Sequence, residues 1–178
     1  MKKIALVLVL ATVWLGACKK EIDELLTFEI KNERTFPVPK ESLDPNLAVM
    51  NFPVSVATNS DKEFQENNTL ASLVKDIRLS EASFELPDNS TEDFGFLEDM
   101  EVYIAMPDGS DRVLLAEAHN IPANVGKRLV LTPSGNKMDK YVKSDEYAIS
   151  MQGKMRRPVN DDLTVTSKIV FKVTAAVL

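Results

Sequence analysis

Histidine and cysteine are almost missing from this chain: among 178 residues there is one of each, His119 and Cys18. Any Ser-His-Asp or Cys-His arrangement would have to be built on His119. A zinc site takes several His or Cys ligands, and they are not there. Glycine is scarce too. The six present are scattered, so no glycine-rich loop can cradle a phosphate, and no Gly-x-Ser-x-Gly elbow exists. A single cysteine excludes a disulfide within the chain, so the fold must rest on its apolar core. Positive charge is also short: 21 Lys and Arg face 27 Asp and Glu, a formal net charge of −6. That balance gives no electrostatic footprint for nucleic acid and no basic patch for anionic lipid. These absences point away from an enzyme. No catalytic residue, cofactor or metal site is expected, and His119 is expected to be a solvated loop residue.

What the chain does have is a distinctive beginning. Lys2 and Lys3 precede an uncharged, largely apolar run from Ile4 to Leu15, and Gly16 and Ala17 close it before Cys18. This is the layout of a secretory signal peptide. The run is too short for a membrane span, which needs about 20 apolar residues. Trp14, the one tryptophan, lies inside it.

The tetrapeptide Leu15-Gly16-Ala17-Cys18 resembles the lipobox of bacterial lipoproteins. The resemblance implies cleavage before Cys18 and acylation of that residue. Cys18 is therefore the expected lipidation site, and the membrane, reached through lipid on Cys18, the expected partner. Acyl chains contribute about 0.8 kcal/mol per buried methylene, so two or three of them anchor a protein almost permanently. Lys19 and the acids Glu21, Asp23 and Glu24 follow. Lysine and acids after the cysteine are similar to the surface-export signal of Bacteroidota lipoproteins. The implied location is the outer membrane, facing the periplasm or exposed on the cell surface. Three parts follow: residues 1–17 as signal peptide, 18–24 as lipidated tether, and 25–178 as one domain. Removing the first 17 residues takes away two lysines and no acid, so the charge falls from −6 to −8.

The body of the chain alternates between apolar and polar residues. Leu26, Phe28 and Ile30 set the pattern, and Phe52, Val54 and Val56 repeat it. Pro37 and Pro39 restrict their segment to an edge or a loop. Leu70, Leu73, Val74 and Ile77 fall at helical spacing, with Asn68 or Thr69 placed to cap, and predict one short helix. The parity flip at Ser80-Glu81 predicts a bulge. Met100 to Met106, Pro107-Asp108-Gly109-Ser110 and Arg112 to Ala116 read as a hairpin. Met138, Tyr141 and Val142 suggest a helical turn. Tyr147, Ile149 and Met151 form another strand. Leu163, Val165, Ile169, Phe171 and Val173 share one parity in a long final strand. With no βαβ rhythm, the expected fold is all-β: an antiparallel, immunoglobulin-like β-sandwich of seven to eight strands with one or two short helical turns.

Carboxylates are the remaining chemistry. Asp88, Glu92, Asp93, Glu98 and Asp99 are the candidates for a glycosidase carboxylate pair or for calcium ligands. They lack EF-hand spacing, and a solvated acidic loop is the expectation. Tyr103, on the polar parity of its strand, is a candidate to stack on a sugar or to pack against a neighbour. The chain is thus expected to be a lipid-anchored accessory, binding or structural module. A glycan- or protein-binding lipoprotein and a subunit assembling by strand exchange are the alternatives. It loosely resembles small β-sandwich lipoproteins of the Bacteroidota, a likeness that implies no activity.

Overall fold

The computed structural model describes residues 26–43, 54–58 and 60–175. Cys18, the signal peptide and the tether lie outside these residues, as does Phe52. Eight strands run in chain order: β1 (Thr27–Val38), β2 (Val54–Ala57), β3 (Val74–Glu85), β4 (Leu97–Ala105), β5 (Val113–Ala118), β6 (Arg128–Pro133), β7 (Glu146–Met155) and β8 (Leu163–Ala175). Among the described residues two short helices interrupt them, α1 (Ser60–Glu66) and α2 (Asp139–Val142).

All strand pairings are antiparallel. They nest: β1 pairs with β8, β2 with β7, β3 with β6 and β4 with β5. A long hairpin wrapped in this way also brings β8 beside β3 and β7 beside β4. The result is one curled sheet in the order β1-β8-β3-β6-β5-β4-β7-β2. This connectivity is that of a jelly roll. The all-β, antiparallel class stands. The immunoglobulin-like order does not, because that arrangement sets strands ABED against CFG. Alternation tells each strand which face to bury, but not which strand to lie beside.

The corner of the curl is the β5–β6 contact, which holds only Ala116↔Pro133 and Glu117↔Thr132. On either side of it the half β1-β8-β3-β6 packs against the half β5-β4-β7-β2. Tyr147 of β7 meets Phe171 of β8 edge to face, with ring centroids 6.3 Å apart. Phe171 is fully buried, which contributes about 1.5–3 kcal/mol. β8 lies between β1 and β3 of its own chain, and its inward row forms part of this core. Pro37 sits in β1, an edge strand, where its missing N–H costs nothing.

One element differs from its sequence pattern. The predicted helix over Leu70–Ile77 is a short 3-10 turn at Ala71–Leu73 followed by β3, and the helix lies earlier, at Ser60–Glu66. The cause is a register shift between Val74 and Asp76. It places Val74 and Ile77 on the same buried face at a spacing of three, imitating a helix. The second shift, between Leu79 and Glu81, is the bulge expected at Ser80-Glu81. The β4–β5 hairpin also forms as expected, with Gly109 at φ 81° in its turn.

Candidate functional site

The carboxylates of the acidic loop are mostly consumed by structure. Glu92 is buried, 6% exposed, and accepts from Arg157 Nη1 at 2.7 Å and from the Asn160 backbone N–H at 3.2 Å. Burial pushes its carboxyl up. The hydrogen bonds and charge of Arg157, with the Asn160 contacts, outweigh that and hold it below its ordinary value. Asp93 accepts from Gly95 N–H at 2.9 Å and lies 3.6 Å from Arg157 Nη2. Arg156 donates to the carbonyls of Gly95, Leu97 and Ile121 at 2.7–2.8 Å. Lys127 Nζ donates to the Asp88 carbonyl, and the Lys40 N–H to Asp162 Oδ1 at 3.0 Å. Thus one end of the jelly roll, where the loops after β1, β3, β5 and β7 meet, is knitted together. Gly95 is essential to it, because a Cβ there would collide with the Ala123 carbonyl oxygen.

Around His119 the fold assembles a cluster that the sequence did not reveal. Its Nδ1 lies 3.3 Å from Asp99 Oδ1 and its Nε2 lies 3.2 Å from Glu117 Oε2. The Glu117 contact, opposed by desolvation and reinforced by Asp99, raises the imidazole above its ordinary 6.5. Asp99 is itself held low, first by the Asn120 backbone N–H at 3.0 Å. Glu101 stands directly across from Glu117 in the β4–β5 ladder, a like-charge pair that a protonated His119 offsets. The ligating atoms of Glu101, Glu117 and His119 lie within 4.8 Å of one another, a spacing a cation accepts. A cation there would compete with the His119 proton and with the Tyr103 hydroxyl, which donates to Glu101 at 2.8 Å. Tyr103 packs against a neighbour: Arg112 covers its ring, 3.5 Å from the centroid. That face is not open to a sugar. Glu98 pairs with Lys154 at 2.8 Å.

The third feature lies between the halves of the sheet, where the end strands β1 and β2 leave a seam. Arg34 Nη2 reaches across it to the Ala57 carbonyl at 3.4 Å. Behind this seam is a cavity of about 160 Å³. Its walls are Phe36, Val56, Phe84, Ile149, Met151 and Ile169. A smaller apolar cavity of about 40 Å³ adjoins it and shares Phe36, Phe84 and Met151. The polar lining comes from Asn32, Arg34, Ser167 and Tyr147. Asn32 and Arg34 occupy β1 positions of the same parity as buried Ile30 and Val38. Ser167 is directly opposite Arg34 in the ladder and shares the parity of Val165 and Ile169. Two apolar rows are therefore interrupted at one register. Arg34 shares that parity but is exposed, and it makes no ion pair among the described residues. The Tyr147 hydroxyl is buried and has no hydrogen-bond partner among the described residues. Burial pushes that phenol up to about 12, and the Arg34 charge pulls it down.

The signal for this site was present as a break in alternation. The runs Phe28-Ile30-Phe36-Val38 and Val165-Ile169-Phe171 are continuous only if Asn32, Arg34 and Ser167 are passed over. What no single strand showed is that the breaks coincide.

No protein-family model matches the chain, and no curated protein matches it. Among solved structures it is similar to a decameric BFDV capsid protein, at 10% identity and a TM-score of 0.37, over 84% of this chain and 98% of that one. The fold assignment rests on the strand pairing and not on that likeness.

Proposed function

We propose that this chain is a lipid-anchored binding module of the outer membrane, tethered through acylated Cys18 and carrying its ligand pocket between the two halves of its curled sheet. The observation that supports a binding role is the cavity behind the β1–β2 seam. Its apolar walls surround a buried tyrosine hydroxyl that has no partner among the described residues, and an exposed arginine without a counterion stands on the same lining. Pockets for small molecules have this composition, mostly apolar with a few convergent polar groups. No nucleophile, base and orienting group converge there, so binding rather than turnover is the reading. Strand exchange is disfavoured, because β8 is already seated between β1 and β3 of its own chain.

The anchor and the pocket are tested separately. Cys18→Ser moves the protein from the membrane pellet to the soluble fraction, and retention in the pellet would refute the anchor. For the pocket, thermal shifts are measured with a panel of sugars, alcohols, amines and acids. The comparison is with Ser167→Leu, which fills the cavity from β8. At least one compound stabilises the unmodified protein and not the filled variant. If none does, the binding reading is wrong.

A further inference from the structure

The same cavity specifies a class of ligand, an inference that rests on the binding reading above. A volume of about 160 Å³ is that of one six-membered ring; an apolar cavity of about 150 Å³ holds benzene. Branched and aromatic walls suit a flat or compact apolar body. The polar groups define the other half of the ligand. Arg34 supplies a guanidinium at the seam with no carboxylate among the described residues to neutralise it. Among the described residues its side chain makes one contact across the seam, a long hydrogen bond to the Ala57 carbonyl at 3.4 Å. Guanidinium groups match carboxylates through two parallel N–H···O bonds.

Tyr147 adds a second requirement. A buried hydroxyl without a partner costs about 1–3 kcal/mol. A lining that needed only apolar contacts would have phenylalanine there. Arg34 and Tyr147 line the same cavity, so a single anionic group held there has a donor from each to accept from. Ser167 does not compete, because its hydroxyl donates to the Arg34 carbonyl at 3.3 Å. We infer that the β1–β2 seam binds a small monocarboxylic acid with a ring-sized apolar body, its ring between Phe36, Phe84 and Ile149 and its carboxylate between Arg34 and the Tyr147 hydroxyl.

The test uses the full-length protein in phospholipid nanodiscs, with benzoate as the acid probe and benzyl alcohol as its neutral counterpart. Titration calorimetry and thermal shift are read together. Benzoate binds and raises the melting temperature, while benzyl alcohol binds at least about tenfold more weakly. Arg34→Gln lowers benzoate affinity by about tenfold or more and leaves benzyl alcohol unchanged. Tyr147→Phe, which keeps the ring and its packing, lowers benzoate affinity by a smaller factor. Equal binding of the acid and the alcohol, or benzoate binding indifferent to Arg34→Gln, would overturn the carboxylate assignment and leave the binding module standing. If benzoate produces no heat and no thermal shift at about 10 mM, the inference fails, and an ordered water answers Tyr147 instead. Only the failure of the whole panel against the Ser167→Leu variant would remove the binding reading as well.

Discussion

The loop end around Glu92 and the seam between β1 and β2 both bring polar side chains into contact with the apolar core, and they are finished in opposite ways. At the loop end each buried polar group has an answer. Glu92 has Arg157 and Asn160, Asp93 has the Gly95 N–H, and three carbonyls have Arg156. At the seam the buried Tyr147 hydroxyl has none among the described residues, a cavity remains, and Arg34 stands exposed beside it with one long hydrogen bond and no counterion among those residues. The first pattern is what structure requires, since buried polar groups are stabilising only when satisfied. The second is a local cost that packing alone does not explain. Sites built for a ligand carry such costs, because their partners arrive from outside.

The sharpest way to break the knitted end is Gly95→Ala. The added methyl meets the backbone carbonyl of Ala123, and backbone cannot swing aside. A loss of about 3–5 kcal/mol is expected by denaturant unfolding. A loss below about 1 kcal/mol would show that this end is looser than its hydrogen bonds imply.

Arg157→Ala is the next largest. It leaves the Glu92 carboxylate buried with only Asn160 to answer it, at a cost of about 2–3 kcal/mol. The effect depends on pH in a defined direction. Glu92 is held below its ordinary 4.5 in the folded protein, so its contribution is present above that value. It is lost as pH falls through the folded value. Unfolding measured from pH 7 down to pH 3 should therefore fall more steeply in the unmodified protein than in Glu92→Gln. Parallel curves would mean that Glu92 is not the group responsible.

At the seam the expected effect is small and of opposite sign. Tyr147→Phe removes a hydroxyl that has no partner, so stability is unchanged or rises by about 0.5–1 kcal/mol in the free protein. A loss of about 2 kcal/mol or more would mean that the hydroxyl is satisfied in solution and that the two regions are alike.

Much of the fold was legible in the sequence because alternation reports burial directly. The β4–β5 hairpin, the bulge near Ser80 and the long final strand follow from it, and the turn at Met138–Val142 follows from helical spacing. The helix predicted at Leu70–Ile77 fails for the same reason the others succeed. A bulge changes the strand's period, and a shifted period of two reads as a helix. The site was less legible. His119 was visible as the lone histidine, but Glu101 and Glu117 join it from neighbouring strands. Glu92 was visible as one acid among several, but its partners lie more than sixty residues away.

The sequence by itself determined most of the strand content, the inward and outward faces, and the single histidine and single cysteine. It also carried the lipobox resemblance that places Cys18 as the expected anchor. These are local properties, written in residue type and in spacing along one segment. The tertiary structure alone decided which strands became neighbours, and so which interruptions of the apolar pattern came together. Arg34 and Ser167 are 133 positions apart, and only the β1–β8 ladder sets them side by side. Tyr147 joins them across the curled sheet because the wrapped hairpin folds β7 over that register. A pocket is a relation between distant segments, and the pairing energy of the sheet, rather than any local preference, brings those segments together.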